Sequence, residues 1–372
     1  MKKHRFLRSA GILLAMCLIS ELALRLFGYG NYTIYRPDER LLWVPAPGRS
    51  LSVVNHLAIT TNHQGFRYPV DLKPKQADEF RIIAFGDSAT QGWGVDDSSH
   101  FSALLEKMLN QQPQCSGKHF EAISAGVNAY PNSLVAEDLK EVLENNVVQP
   151  DVAIVAYSGN SNFEKLTKLQ GQEREKFLRR VELKAIVRRS AIYNFLVEDV
   201  LRTFAYYKLR HLIMADALSN LDGMDNLDMN QFNDGLKQSL MLCRSKHVQL
   251  VFLLLGEKDQ GPNSEMHPFQ KAMLEFAEKE HVPIVNMIAA IDIKDRQQMF
   301  LDPDHFTVAG HQVAARQLFE VIRGLPNYEI ACSRMERREN LTSSSQAPSS
   351  RAPIAHGGAV ARQNDAGESA LQ

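Results

Sequence analysis

The 372-residue chain has almost no net charge, with 42 Lys and Arg against 43 Asp and Glu. No overall field therefore draws it toward nucleic acid. Cysteine is scarce: Cys17, Cys115, Cys243 and Cys332 form no C-x-x-C and no zinc-ligand spacing, which excludes a thiol redox motif and a cysteine metal site. A Cys115–Cys243 bridge is open in an oxidising compartment, but the preferred reading leaves the cysteines as isolated small residues. No group of His and carboxylates has ligand spacing, which weighs against metal-dependent hydrolysis. Internal repeats are absent. So is an uninterrupted apolar run of the ~20 residues that a spanning helix needs.

Hydrophobic residues make up 44% of the chain, enough to bury a large core. In the first thirty residues, Lys2, Lys3, Arg5 and Arg8 precede an apolar run from Ala10 to Ile19. That is the charge-then-apolar order of a signal or an anchor. Apolar character resumes after Glu21, and Glu21 and Arg25 stand four apart, so they can pair on a helix and lower the cost of entering lipid. No clean cleavage site follows. Residues 1–30 are read as an uncleaved membrane anchor, with a cleaved signal and a soluble helix as alternatives. The basic flank stays in the cytoplasm and puts the rest of the chain outside, on the periplasmic side.

Residues 31–76, rich in Pro, Tyr and Asn, read as a leader wrapped against the domain. The pattern then becomes regular. Strands are expected at Phe80–Phe85, Phe120–Ala125, Val152–Tyr157, Gln249–Leu255 and Val282–Met287. Helices are expected at His100–Asn110, Asn132–Asn145, Met266–Glu280 and Thr307–Arg323. Alternation of this kind predicts a three-layer α/β/α sandwich on a five-stranded parallel sheet, with its ligand beyond the carboxyl ends of the strands. The domain is bounded at 31–330. A helical insert occupies about 164–245, and its first part, Glu164–Arg210, carries twelve basic against six acidic residues. It reads as a solvated cap, as a lid, or as a basic face on anionic lipid beside the anchor. Residues 331–372, rich in Ser, Ala, Arg and Gly, read as a disordered tail.

Chemistry is sought after each strand. Gly86-Asp87-Ser88 follows the first and presents a hydroxyl at a strand-to-helix turn, with helix N–H groups behind it for a developing oxyanion. Alone, such a tripeptide usually marks a turn. Leu301-Asp302-Pro303-Asp304-His305, ahead of the last helix, supplies what a serine lacks: a base, and a carboxylate to orient that base. Asp302, three positions before His305, is taken as the orienter. Asp304, after Pro303, is assigned to capping the helix, and His311 to packing.

FGDSATQGWG, the turns at Ser124–Asn128 and Tyr157–Phe163, and DPDHFTVAGH resemble, in order, the four sequence blocks of SGNH (GDSL-like) hydrolases. The anchor, Asn62–Arg67 (NHQGFR) and the RIIAFGDS strand resemble the extracytoplasmic, anchored branch of that family. The resemblance implies a flavodoxin-like α/β fold and no cofactor or metal. It implies Ser88 as nucleophile, His305 as general base and Asp302 as its orienter. The oxyanion hole would use the backbone N–H groups of Ser88 and Gly126 and a side-chain amide from the third turn. That turn departs from the family's Gly-x-Asn-Asp: it reads Gly159-Asn160-Ser161-Asn162, so Asn160 is preferred, with Ser161 and Asn162 as alternatives. The resemblance implies an esterase, deacetylase or O-acyltransferase acting on an acyl ester of an envelope glycan or lipid. The alternative is a silent SGNH-fold protein that binds a glycan or a partner.

Overall fold

The computed structural model describes residues 2–30, 35–48, 50–53, 57–115, 117–145, 147–158, 164–201 and 229–332. The tail expected from 331 lies outside these beyond Cys332, as do Asn160, Ser161 and Asn162.

Helix α1 (Lys2–Leu26) is apolar from Ala10 to Ile19, with basic residues before that run and Glu21 and Arg25 after it. Its segment His4–Leu26 has a mean hydropathy of 1.8 and is not buried by the rest of the chain. It is long and apolar enough to cross a membrane, a property that a signal sequence near an N-terminus shares. The leader forms two antiparallel ribbons, β1 (Tyr35–Asp38) with β2 (Leu42–Pro45), and β3 (Ser50–Val53) with β4 (Leu57–Thr60).

The central sheet holds β5 (Glu79–Phe85), β6 (His119–Ser124), β7 (Val152–Tyr157), β8 (Gln249–Leu254) and β9 (Ile284–Asn286). All are parallel, in the order β6-β5-β7-β8-β9. The strands are near-continuous apolar runs because helices cover both faces of the sheet. Period-2 alternation divides them between two cores. Ile83, Phe85, Val155 and Phe252 pack with α4 (Asn132–Glu144) and the ribbon residues Leu41 and Trp43. Ile82, Ala84, Ile154 and Val251 pack on the opposite face with α3 (Phe101–Asn110) and the C-terminal Leu318 and Ile322.

The chain leaves β5 in one direction toward β6 and returns to the other side at β7. The switch point of the sheet therefore lies at the carboxyl ends of β5 and β7, where α/β sheets place their ligands. The elements of the insert are α5 (Glu164–Thr167), α6 (Gly171–Val187), α7 (Ala191–Phe195), a π turn at Leu196–Leu201, and α8 (Met229–Ser245).

Cysteine pairing differs from the expectation. Cys115 is bonded to Cys332, 217 positions away, and Cys243 is free and buried. The reason lies in the two faces: Cys115 and Cys332 belong to one core and Cys243 to the other, so the sheet separates Cys115 from Cys243. Residues 326–332 are helical, which brings Cys332 to that face.

Candidate active site

Phe85 ends β5, and Asp87 starts the short helix α2 (Ser88–Gln91) as its N-cap: its Oδ1 accepts from the Ala89 N–H at 2.9 Å. Its other oxygen, Oδ2, accepts from the Ser158 hydroxyl at the end of β7. One carboxylate thus ties the two strands of the switch point to the turn that carries Ser88. Gly92 ends α2 at φ 81°, in the left-handed region where only glycine sits without strain. A Cβ there would also meet the His100 Cβ at 2.5 Å.

Arg67, from the NHQGFR stretch, closes α2 from below. Its buried guanidinium donates to the carbonyls of Gln91 and Gly92 (2.8 Å each) and Val95 (2.8 Å), and to Asp97 Oδ1 at 2.8 Å. Gln91 and Gly92 stand at the C-terminal end of α2, whose last carbonyls have no donor within the helix. Burial pulls the guanidinium below its ordinary pKa, and the Asp97 charge opposes that shift. The sequence stretch was legible as a family mark, but its role as a brace for α2 was not.

After β6, Gly126 packs directly on α2. A Cβ at this position would lie 2.2 Å from the Gln91 amide nitrogen, so the close approach admits only glycine. The Gly126 N–H faces the Ser124 hydroxyl at 3.3 Å, and that hydroxyl donates to the Thr90 carbonyl at 3.0 Å. Tyr35, on β1, donates its hydroxyl to Gln91 Oε1 (3.1 Å) and accepts from the Asn128 N–H (3.1 Å). Burial pushes its phenol up to about 12. The leader therefore contributes directly to the floor behind Ser88.

The fourth block sits on a tight loop between α11 (Arg296–Met299), which follows α9 (Pro268–Glu280) and α10 (Met287–Ala290), and α12 (Val308–Arg323). A bridge between Phe300 and Phe306 pinches the loop, and the Leu301 N–H donates to the His305 carbonyl at 2.8 Å. Asp302 Oδ1 accepts from the backbone N–H groups of Asp304 (3.2 Å) and His305 (2.9 Å). The helix cap is Thr307, which accepts from the Gly310 N–H at 3.3 Å, so the capping role expected of Asp304 is corrected. Thr307 has the short side chain at the position that precedes the first helical turn, whereas Asp304 lies too early.

Ser88 and His305, 217 positions apart, meet at 2.8 Å between Oγ and Nε2. His305 Nδ1 lies 2.8 Å from Asp302 Oδ2 and 2.9 Å from Oδ1. Ser88 is buried, and the His305 side chain is only 15% exposed. Burial pushes the Asp302 carboxyl up, but the His305 hydrogen bond and charge and two backbone N–H groups outweigh it and hold it well below its usual range. Burial pulls His305 down, and the Asp302 hydrogen bond with the Asp304 and Asp302 charges more than reverses this. Asp304 goes the other way: burial, together with neighbouring Asp302 and Asp87, raises it to about 6 against the pull of His305.

Asp302, Asp304 and His305 offer donor atoms within 4.8 Å of one another, a grouping that the spacing argument had not anticipated. His305 Nδ1 is already held by Asp302 there and Nε2 by Ser88, which leaves the imidazole no lone pair for an ion. His311 is buried between Phe101 and Phe306, and burial, aided by the Arg67 and His305 charges, lowers it to about 3.

A serine at a strand-to-helix turn, bonded to a histidine that is bonded in turn to a carboxylate, is an arrangement of groups that serine hydrolases use. The sequence matches the model of the GDSL-like lipase/acylhydrolase family over residues 84–313, more than half of the chain, and the chain belongs to that family. It is an ester hydrolase of the SGNH type. No curated protein matches it by sequence.

Among solved structures it is similar to the acetyl xylan esterase AlAXEase, at 13% identity over 65% of this chain and 100% of that one, with a TM-score of 0.41. It is similar to Axe2, an acetylxylan esterase from Geobacillus stearothermophilus, at 13% identity over 68% and 98%, TM-score 0.40. It is also similar to the esterase EstA from Pseudoalteromonas sp., at 10% identity over 65% and 96%, TM-score 0.39. At these scores the likenesses carry no argument about what this chain acts on.

Proposed function

We propose that the chain cleaves or transfers an acyl ester through Ser88, His305 and Asp302, in a domain held outside the cytoplasmic membrane by residues 1–30. The carrying observation is the line Ser88 Oγ–His305 Nε2 at 2.8 Å and His305 Nδ1–Asp302 Oδ2 at 2.8 Å. In the reaction the Ser88 oxygen bonds to the ester carbonyl carbon as its proton passes to His305 Nε2. Asp302 keeps the other ring proton on Nδ1 and stabilises the imidazolium that forms. The N–H of Ser88 receives the negative oxygen together with that of Gly126, which turns from the Ser124 hydroxyl to do so, and a polar side chain of the third turn completes the hole, Asn160 being preferred over Ser161 and Asn162. The protonated imidazole returns its proton to the leaving alcohol, and the acyl group remains on Ser88. Water or a sugar hydroxyl then takes the acyl group by the same steps in reverse order.

The catalytic domain is placed at residues 31–330 with the insert at about 164–245, and the helical turn to Cys332 joins it, so the tail begins after Cys332. The Cys115–Cys332 bond supports an extracytoplasmic location, since such bonds persist in oxidising compartments. The substrate is an acyl ester of an envelope sugar or lipid. Labelling with a fluorophosphonate tests the reading: wild type should be labelled and Ser88→Ala should not. A folded wild type that resists the probe would instead favour a silent binding protein of the same fold.

A further inference from the structure

The insert is fastened to the end of α1. Glu21, on α1, accepts from the Ala191 N–H (2.8 Å), the Ile192 N–H (3.0 Å) and the Ser190 hydroxyl (3.0 Å), so its carboxylate seats the first turn of α7. Arg25 pairs with Glu21 at 2.7 Å and donates to the Arg189 carbonyl at 2.7 Å. Asn194 donates to the Gly30 carbonyl at 2.9 Å, and the Tyr29 and Phe195 rings meet edge to face at 5.3 Å. Glu21 is five residues before α1 ends, which is about 7–8 Å along the axis. Counted from Lys2 at the start of α1, Glu21 lies about 28 Å along the axis, close to the ~30 Å thickness of a hydrocarbon core, so Glu21, α7 and the adjoining end of α6 fall at the boundary with the head groups.

What these elements expose there suits that level. Leu183 (60% exposed), Ile186 (53%) and Leu196 (45%) are large apolar side chains that leave about half of their surface open. Leu183 and Ile186 share a helical face with the exposed Lys176, Arg179 and Arg180. Between Gly171 and Ser190 there are seven Lys or Arg and three Glu. Apolar side chains flanked by basic ones on one helix face are the pattern of a segment lying in an anionic interface.

We infer that the α6–α7 face of the insert is a bilayer-docking surface that rests on anionic lipid and seats the catalytic domain against the membrane that α1 crosses. The site is then held close to that surface. Gly30, pinned to α7, stands only five positions before Tyr35, whose hydroxyl bonds Gln91 and Asn128 beside the Ser88 turn. Five residues span at most about 17 Å. Acyl esters carried on lipids, or on glycans still attached to lipids, come within reach, and substrates free in bulk solution gain nothing from the arrangement. The inference rests on α1 spanning the bilayer, and the test separates the two.

Full-length protein with Cys17→Ser is reconstituted in nanodiscs of phosphatidylcholine, with or without phosphatidylglycerol. An environment-sensitive maleimide is placed in turn at Leu183→Cys, Ile186→Cys, Leu14→Cys and Met241→Cys, the last an exposed site on α8. A lipid-chain nitroxide should quench the labels at 14, 183 and 186 and leave that at 241 untouched, with more quenching at 183 and 186 in the anionic discs. Arg179→Glu with Arg180→Glu should lower the docked-to-undocked ratio by about tenfold or more. A Leu14 label left in water overturns the anchor and this inference together. A quenched Leu14 label with 183 and 186 as water-accessible as 241 overturns the docking alone. Equal quenching in both disc types overturns the anionic preference.

Discussion

Strand β5 carries a buried charge at one end and leads into Ser88, the proposed nucleophile, at the other, and the two ends are wired differently. At its start, Arg81 is fully buried. Its Nε donates to Glu121 at 2.5 Å, and Nη1 donates to the carbonyls of Val148 (2.5 Å) and Val147 (3.0 Å). Its backbone N–H donates to Asp151, which Lys75 also grips at 2.6 Å. Several partners surround the Arg81 guanidinium, so losing one of its contacts leaves others. At its far end, Ser88, His305 and Asp302 stand in single file, each joined to the next. A branched network holds strands in place. A single file can hand a proton along, and it fails when any member is removed. The first end should therefore govern stability and the second turnover.

The largest effect should come from the single file. Ser88→Ala should lower kcat on p-nitrophenyl acetate by about 10⁶-fold, as losing a nucleophile does in other serine hydrolases, with an unchanged melting temperature. Next, Asp302→Asn should cost about 10⁴-fold in turnover, because the imidazole loses its tautomer and its counter-charge. Asp304→Asn should leave turnover within about tenfold, since the Asp304 carboxylate, 3.3 Å from Nδ1, adds charge but makes none of the hydrogen bonds to the ring. An inactive Asp304→Asn beside a fully active Asp302→Asn would show that the other carboxylate orients the base.

At the opposite end the readout should change from rate to stability. Arg81→Met should cost about 3–5 kcal/mol in urea unfolding, because Glu121 is left buried without its partner. The folded fraction should keep a wild-type kcat. Cys115→Ser with Cys332→Ser should cost a similar amount, up to about 5 kcal/mol from the loop that the bond closes. A drop in kcat for the folded fraction of either variant would break the division between the two ends.

The smallest effect concerns pH. His305 must be neutral to accept the Ser88 proton, and its surroundings hold it above the ordinary histidine value of 6.5. The rate kcat/KM should therefore fall as pH drops through a value above 6.5, and be full above it. Asp302→Asn removes the hydrogen bond and charge that raise His305, so its residual activity should inflect at lower pH. An inflection that does not move would separate His305 from the group that titrates.

The ends also differ in how far the sequence revealed them. Ser88 and the Asp302–His305 pair were readable because each lies in a short local turn directly after or before a regular element. The five strands were readable for the same kind of reason: a sheet covered on both faces leaves compact apolar runs. Arg81 and Arg67 were not readable as braces, since their partners come from Val147, Glu121, Gln91 and Asp97, which only the folded chain assembles. The cysteine pairing failed on the same ground, because sequence spacing does not say which face of a sheet a residue joins. Asp304 does not cap the helix because the loop reaches three residues further before α12 begins, and Thr307 takes the cap.

The Cys115–Cys332 bond has a mechanical consequence. It staples a loop of 217 positions that contains Gly126 and His305 but not β5 or Ser88. Force applied between the two chain ends passes through the staple and cannot extend that loop. It can only peel the N-terminal portion, and β5 with it, from the middle of the sheet. Under tension Ser88 would be drawn away from His305, which lies within the stapled loop. Only a reductant would then release the remaining contour length, about 780 Å at ~3.6 Å per residue.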